Sequence, residues 1–325
     1  MAQPLSNLPV GAKVKFGKHQ VNVETPEPII WQIVAKNHPG YPANAITLHT
    51  EKIIDLRCFD AKEPNNSNSD RRKYGNNRYS VSNIDQWLNK DSAAGAWYVA
   101  QHSRDQAPDA ANTSGNTPYD TRPGFLYYFT AAEKDAILNT TIRVVKPSVD
   151  GGGYEDITRK VFLPSTTEVG LANEGGTAEG TAWGFYTNND ARMACLTAQA
   201  FNNTRSTDKP FTIGSAWRWW LRTPRSSSAF YARFVSGNDG TLQYGNVAVG
   251  FYGVRPALNL PSSLLVSDTT DADGCYTIVW WSPPSIYPRI SGVSRSYADG
   301  AVKIGGVWRT IDEVHTRIGG VWRKS

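Results

Sequence analysis

The chain has 325 residues, with 34 basic and 29 acidic side chains and a net charge of +5. Its longest basic run is Arg71-Arg72-Lys73, which argues against an electrostatic nucleic-acid footprint. With 19% of residues charged and 11% aromatic the chain must pack a core, and it has no stretch of about 18 apolar residues to cross a membrane.

The N-terminus, Met1-Ala-Gln-Pro-Leu-Ser-Asn-Leu8, lacks the basic and apolar regions of a secretory signal, so the chain is expected to be made in a cytoplasm and not exported by that route. Val10–Phe16 alternates apolar with polar or small residues. Ile29–Val34 is a β-branched, aromatic run ahead of the turn-forming His38-Pro-Gly-Tyr-Pro42, and Ala45–Thr50 repeats the signal. These three segments predict a small antiparallel sheet. Residues 60–77 are polar enough for a long loop. Ile84, Trp87 and Leu88 then stand at i, i+3, i+4, with Ser82 or Asn83 as N-cap, and predict a helix with one buried stripe. Thr130-Ala-Ala-Glu133 fits a capping box and opens a short helix through Leu138 that buries Ile137 and Leu138.

Val161-Phe-Leu-Pro-Ser165 reads as a brief buried strand, residues 170–184 as a Gly- and Glu-bearing loop, and residues 194–201 as either a short helix or a strand. A strand series follows at Trp217–Leu221, Phe230–Val235, Leu242–Val249 and Val254–Leu260, with Asn238-Asp-Gly240 supplying a hairpin turn. The first domain spans residues 1–283, its core closing near Tyr276–Trp281. A Pro-rich linker at 284–290 leads to a β-rich segment at 291–325, where Lys303-Ile-Gly-Gly-Val-Trp-Arg309 recurs as Arg317-Ile-Gly-Gly-Val-Trp-Arg323. Each copy predicts a tight hairpin. A tail this short buries little surface alone, so it should pack on the main domain, on a copy of itself or on a partner.

Two aromatic and arginine-bearing motifs, Trp217–Pro224 and Gly250–Pro256, bracket a ribbon rich in Asn, Gly and Ser. The guanidiniums of Arg222 and Arg255 can lock loops through several backbone carbonyls. Trp219 and Trp220 point to opposite strand faces and are not expected to share one core. Between the motifs, Ser226, Ser227, Ser228, Phe230, Tyr231, Arg233, Asn238, Asp239, Gln243, Tyr244 and Asn246 combine aromatic area with adaptable hydrogen bonding, as binding loops do. An ordinary hairpin with a solvated face is the competing reading.

Catalytic signatures are absent. The five histidines show no H-x-x-x-H or H-E-x-x-H spacing, and there is no G-x-S-x-G elbow, P-loop or G-x-G-x-x-G. Glu168, Glu174 and Glu179 lie in or beside one loop and read as solvated. Cys58, Cys195 and Cys275 share no C-x-x-C spacing and read as buried small hydrophobes. Asp268–Gly274 departs from the EF-hand register and reads as an Asp-Gly turn. No catalytic residue, metal or cofactor is expected.

Taken in order, Ile30-Trp-Gln-Ile33, Tyr79–Asn89, Lys160–Glu168, Trp219–Pro224 and Gly253–Leu258 resemble a domain family of unknown function found in Gram-positive bacteria and their phages, over roughly residues 8–281. That family is similar to the C-type lectin-like fold of formylglycine-generating enzymes and of the variable proteins of diversity-generating retroelements. The Ile-Gly-Gly-Val-Trp copies resemble short repeats at the ends of phage tail and baseplate proteins.

The resemblance implies an α+β fold: a C-type lectin-like domain with short antiparallel strands, few helices and long loops, followed by a small β-hairpin tail. It also implies that Trp219, Trp220, Arg222 and Arg255 are structural anchors, with Gly253-Val-Arg255 closing a displayed surface at 225–249. The ligand-binding residues would be Ser227, Phe230, Tyr231, Arg233, Asn238, Asp239, Gln243, Tyr244 and Asn246. The formylglycine-generating relatives oxidise with copper on a cysteine pair that Cys195 and Cys275 do not reproduce, so oxidase activity is not expected. The function implied is that of a virion-associated receptor-binding or adhesion protein (tail, fibre or baseplate) that recognises a host surface glycan or protein. It would be homo-oligomeric and in contact with other virion proteins, without nucleic acid or membrane insertion. The alternative is a purely structural virion protein making subunit contacts, and a cell-wall glycan-active enzyme stands further behind.

Overall fold

The computed structural model describes residues 2–19, 25–115, 118–203 and 212–280, together with paired strand segments between 289 and 324. Contacts divide the chain into two units, Met1–Val279 and Trp280–Ser325.

In the first unit a short strand β1 (Ala2–Pro4) precedes β2 (Lys13–His19), β3 (Glu27–Lys36) and β4 (Ala45–Thr50). These last three are antiparallel neighbours, as their alternation predicts, with Val14 opposite Trp31 and Ile33 opposite Leu48. All six residues of β4 are buried, so both of its faces are covered. After β5 (Asp55–Arg57), the polar stretch expected to be loop contains a helix, α1 (Ser69–Tyr74). The Asn68 side chain caps it, accepting from the Asp70 and Arg71 N–H groups at 3.0 and 3.1 Å. Arg71 then donates to both carboxylate oxygens of Asp150, at 2.9 and 2.6 Å. Polarity hid this helix because its stabilisation comes from a cap and an ion pair instead of an apolar stripe.

Helix α2 (Asn83–Leu88) has Ser82 as its N-cap and buries Ile84, Trp87 and Leu88. Helix α3 (Ala131–Ala136) opens with the Thr130–Glu133 capping box but ends before Leu138. Ile137 is buried. Leu138 is only half-buried, and its N–H leaves the helix for the Asn259 carbonyl at 2.9 Å. A hairpin of β6 (Thr140–Val145) and β7 (Tyr154–Arg159) leads to β8 (Val161–Phe162). After α4 (Asn189–Arg192), the ambiguous segment at 194–201 uses both options, with β9 (Ala194–Cys195) followed by α5 (Ala198–Asn203).

The strand series comprises β10 (Ala216–Trp217), β11 (Trp219–Pro224), β12 (Tyr231–Val235), β13 (Leu242–Asn246), β14 (Tyr252–Val254) and β15 (Ala257–Pro261). It is completed by β16 (Leu265–Ser267) and β17 (Tyr276–Thr277). One sheet runs β17-β2-β3-β4-β15-β8 and another β13-β12-β11-β14-β5. The described part is thus mostly β, in several sheets and without a barrel, and carries five short α-helices. The β12–β13 ribbon lies at one edge of the five-stranded sheet. Its connection runs from Ser236 to Thr241, because Val235 pairs with Leu242; the Asp-Gly dipeptide sits in this longer loop and not in a two-residue turn.

In the second unit, β18 (Arg289–Ile290) pairs with β19 (Val293–Ser294). The expected linker at 284–290 falls partly outside the described residues, and its last two residues are this strand. The repeats form two antiparallel pairs in one register. In β20 (Ala301–Ile304) and β21 (Val307–Thr310), Lys303 stands opposite Trp308; in β22 (His315–Ile318) and β23 (Val321–Lys324), Arg317 stands opposite Trp322. The Gly-Gly turns themselves lie outside the described residues.

Candidate functional site

Strand β11 supplies the frame beneath the ribbon. All six of its residues are buried, which corrects the expectation for its tryptophans: Trp219 and Trp220 point to opposite faces, yet both are 0% exposed and belong to one continuous hydrophobic core. At β11 the sheet is covered on both sides. The Trp219 indole donates to the Arg192 carbonyl at 3.0 Å. Trp220 donates to the Arg57 carbonyl at 3.0 Å and stacks on Tyr252 at 4.1 Å.

Arg222 and Arg255 are both buried, and both donate to backbone carbonyls. Arg222 donates to the carbonyls of Arg143, Leu163 and Glu179 and forks onto Glu168 at 2.6 and 2.7 Å. Arg255 donates to the Thr50 and Glu51 carbonyls and lies over Trp219 at 4.7 Å. Burial, followed by the Arg255 charge, holds the nearby His49 well below its usual pKa, so the ring is neutral.

The three glutamates of the 166–184 region are not solvated, contrary to the sequence reading. Glu168, Glu174 and Glu179 are 0%, 6% and 0% exposed, because each meets donors from distant segments. Glu179 accepts from the Val145 N–H and the Thr223 hydroxyl, and burial pushes its carboxyl up to about 7 against the pull of Arg222. Glu174 clamps the ribbon: it accepts from the Ser226 N–H and hydroxyl at 2.9 and 2.8 Å and from Arg233 Nε at 2.6 Å. Burial raises its pKa, but Arg233 and Ser226 together hold it below the usual range.

The ribbon divides the expected binding residues between two places. In register, Tyr231 faces Asn246 and Arg233 faces Tyr244, so these four side chains share one face. The Tyr231 and Tyr244 rings are 5.0 Å apart, Phe230 lies 4.0 Å from Tyr231, and Tyr74 stacks on Phe230 at 4.6 Å. The Arg225 guanidinium covers Tyr244 at 4.0 Å. A cleft of about 430 Å³ opens alongside, lined by Arg225, Ser227, Ser228, Phe230 and Tyr231 among others. Tyr244 is 43% exposed, whereas the Asn246 side chain accepts from the Ala248 N–H at 2.9 Å and serves a local turn.

Asn238, Asp239 and Gln243 are not part of that face. They line a separate hollow with Trp217, Arg218 and Phe234, at the end of the ribbon where the 236–241 loop turns.

Sequence reasoning missed Arg225 and Asn77, and took Glu174 for a solvated loop residue. Asn77, fully buried, donates through Nδ2 to the carbonyls of Arg225, Ser228 and Tyr231 at 3.3, 2.9 and 2.9 Å and so fixes the loop entering the ribbon. Arg225 could have been found, as a cation beside the Ser run. Asn77 and Glu174 had no local signal, since their partners are distant in sequence.

Among the described residues no group of three or more His, Cys, Asp or Glu is arranged to hold a metal ion. Cys58 and Cys275 are buried, Cys195 is half-buried, and all three are free thiols. In the Asp268–Gly274 segment Asp271 and Asp273 pair with Lys15 at 2.7 and 2.5 Å, and Asp271 also accepts from the Asp273 and Cys275 N–H groups, the geometry of a turn. No helix among the described residues is long and apolar enough to cross a membrane.

Fold and site together define a mostly β domain that carries a polar, aromatic ribbon on a buried arginine–carboxylate frame. Over residues 44–262 the chain matches the family described as "Domain of unknown function (DUF6273)", and it belongs to that family. No curated protein and no solved structure matches it.

Proposed function

We propose that the chain is a virion-associated receptor-binding or adhesion protein whose first unit is a C-type lectin-like domain. In this reading the Tyr231–Tyr244 face recognises a host surface glycan or protein, and the hairpin tail mounts the domain on other virion proteins or on copies of itself. The observation that carries it is the prior organisation of this face: an exposed Tyr244 stands among half-buried Arg225, Phe230, Tyr231 and Arg233 on a ribbon already held by Asn77 and Glu174. Such a surface loses little conformational freedom on binding. Aromatic faces suit the C–H faces of sugar rings, while Arg225, Ser227 and Ser228 supply polar contacts. Several mounted copies would raise a weak single-site affinity by avidity.

A pull-down on host cells and purified wall polysaccharide tests this. The unaltered protein should bind, and a variant with Tyr231, Arg233 and Tyr244 changed together to Ala should not. The matched hairpins of the tail favour a second reading, a structural virion protein making subunit contacts. That reading prevails if neither protein binds while both incorporate into particles. Deletion of residues 289–325 should abolish assembly; retained assembly would remove the mounting role of the tail.

A further inference from the structure

The hollow at the far end of the ribbon has a different chemistry from the Tyr231–Tyr244 face. Arg218, between β10 and β11, has its guanidinium 4.6 Å from the Trp217 ring centroid, 4.9 Å from Tyr252 and 5.4 Å from Phe251. Arg71, Arg78, Arg159, Arg222 and Arg233 each pair with a carboxylate, but among the described residues Arg218 has none within ion-pair distance. Aromatic packing holds this half-buried cation in place without neutralising it. Apart from a donor shared with the Tyr252 hydroxyl, its in-plane N–H groups remain available to an acceptor.

The walls are built in advance. The Trp217 indole is fixed by its hydrogen bond to the Phe251 carbonyl at 2.7 Å. The loop packs so closely that a Cβ on Gly237 would come within 2.5 Å of the Trp217 backbone. The loop is closed by Ser236 N–H to the Thr241 carbonyl at 2.9 Å and Gly240 N–H to the Ser236 carbonyl at 3.0 Å. Asn238 and Gln243 expose amides at the rim, groups that both donate to and accept from hydroxyls. The one carboxylate in the lining, Asp239, accepts from the Thr241 N–H and hydroxyl and is committed to the loop. The hollow measures about 380 Å³, within the small-ligand range of about 300–1,000 Å³.

We infer that this hollow is a second binding site, independent of the Tyr231–Tyr244 face, and that it takes a sugar or polyol bearing one anionic group, held by Arg218. The indole supplies a flat apolar wall, the rim amides meet hydroxyls, and the Arg218 guanidinium, the one cation of the lining, takes a single anionic group while the Asp239 carboxylate keeps its Thr241 hydrogen bonds. A carboxylate on a uronic acid and a phosphate on a polyol both satisfy this chemistry.

The test is ligand-observed NMR and tryptophan-fluorescence titration of the full chain. The probes are a glucuronate-containing disaccharide, its methyl ester, glycerol phosphate and inorganic phosphate. The acid disaccharide or glycerol phosphate should bind, and whichever binds identifies the source of the anion. The ester, and the Arg218→Gln variant with the acid, should each bind about tenfold more weakly or worse. Tyr231→Ala should leave this binding unchanged, which separates its fate from that of the proposed receptor face. Should Arg218→Gln fail to fold by circular dichroism, the acid-against-ester comparison on unaltered protein still decides. Equal binding of acid and ester, inorganic phosphate binding as tightly as the sugar or polyol, or no binding by either anionic probe would each overturn the assignment.

Discussion

Arg222 and Glu168 form a two-pronged ion pair at 2.6 and 2.7 Å with both side chains fully buried. The pair joins β11 to the segment after β8, and three backbone carbonyls occupy further Arg222 donors. Removing one partner would strand a charge out of water. Glu168→Gln should therefore lower unfolding free energy by about 3–5 kcal/mol, read from urea denaturation. Arg222→Lys should also destabilise, because an ammonium cannot span the carboxylate and the carbonyls together.

The contribution of two buried carboxyls to stability should fall between pH 5 and pH 8, while the buried, neutral His49 acts in the opposite sense below about 6.5. Burial raises Glu179 to about 7 and Asp85 to about 6. A carboxyl whose pKa is raised on folding takes up a proton with the fold. Its contribution is complete below the unfolded value and is lost as pH rises through the folded one. For Glu179 that loss is on the order of 3 kcal/mol. Across this range the urea midpoint of the unaltered protein should fall relative to that of Glu179→Gln. A constant offset between the two would show that Glu179 is not the titrating group.

Asn77→Ala should loosen the ribbon's entry without touching its displayed side chains. Three carbonyls would lose a buried donor, at a cost of about 1–3 kcal/mol. Hydrogen exchange of the amides at 225–231 should accelerate, while that of the β2–β4 strands should follow only the change in global stability.

Tyr244→Ala and Arg225→Ala should alter stability little, since the cation–π contact between them is exposed and worth about 0.5–1 kcal/mol. Both should weaken capture on host polysaccharide. Tyr244→Phe, which keeps the ring, should retain most of it. A loss in Tyr244→Phe equal to that in Tyr244→Ala would assign recognition to the hydroxyl.

Local pattern carried much of the fold. The β2–β4 sheet, α2 with its Ser82 cap, the Thr130–Glu133 box and most of the strand series were legible, because alternation, capping and turn chemistry act over a few residues; the expected strand Val254–Leu260 instead breaks at Arg255-Pro256 into β14 and β15, which belong to different sheets. Helix α1 was not, as its polar sequence depends on Asp150 far along the chain.

Which chemistry the ribbon carries was written in the sequence: Tyr, Arg, Ser and Asn between two arginine anchors. Only the tertiary structure decided how that chemistry is divided. Strand register puts Tyr231 and Arg233 with Tyr244, and the six-residue loop carries Asn238 and Asp239 away to Arg218. The same holds for Glu168, Glu174 and Glu179, which look like loop carboxylates until Arg222, Thr223 and Arg233 arrive from more than 40 residues away. Burial and charge pairing depend on which distant segments meet, and no local pattern encodes that.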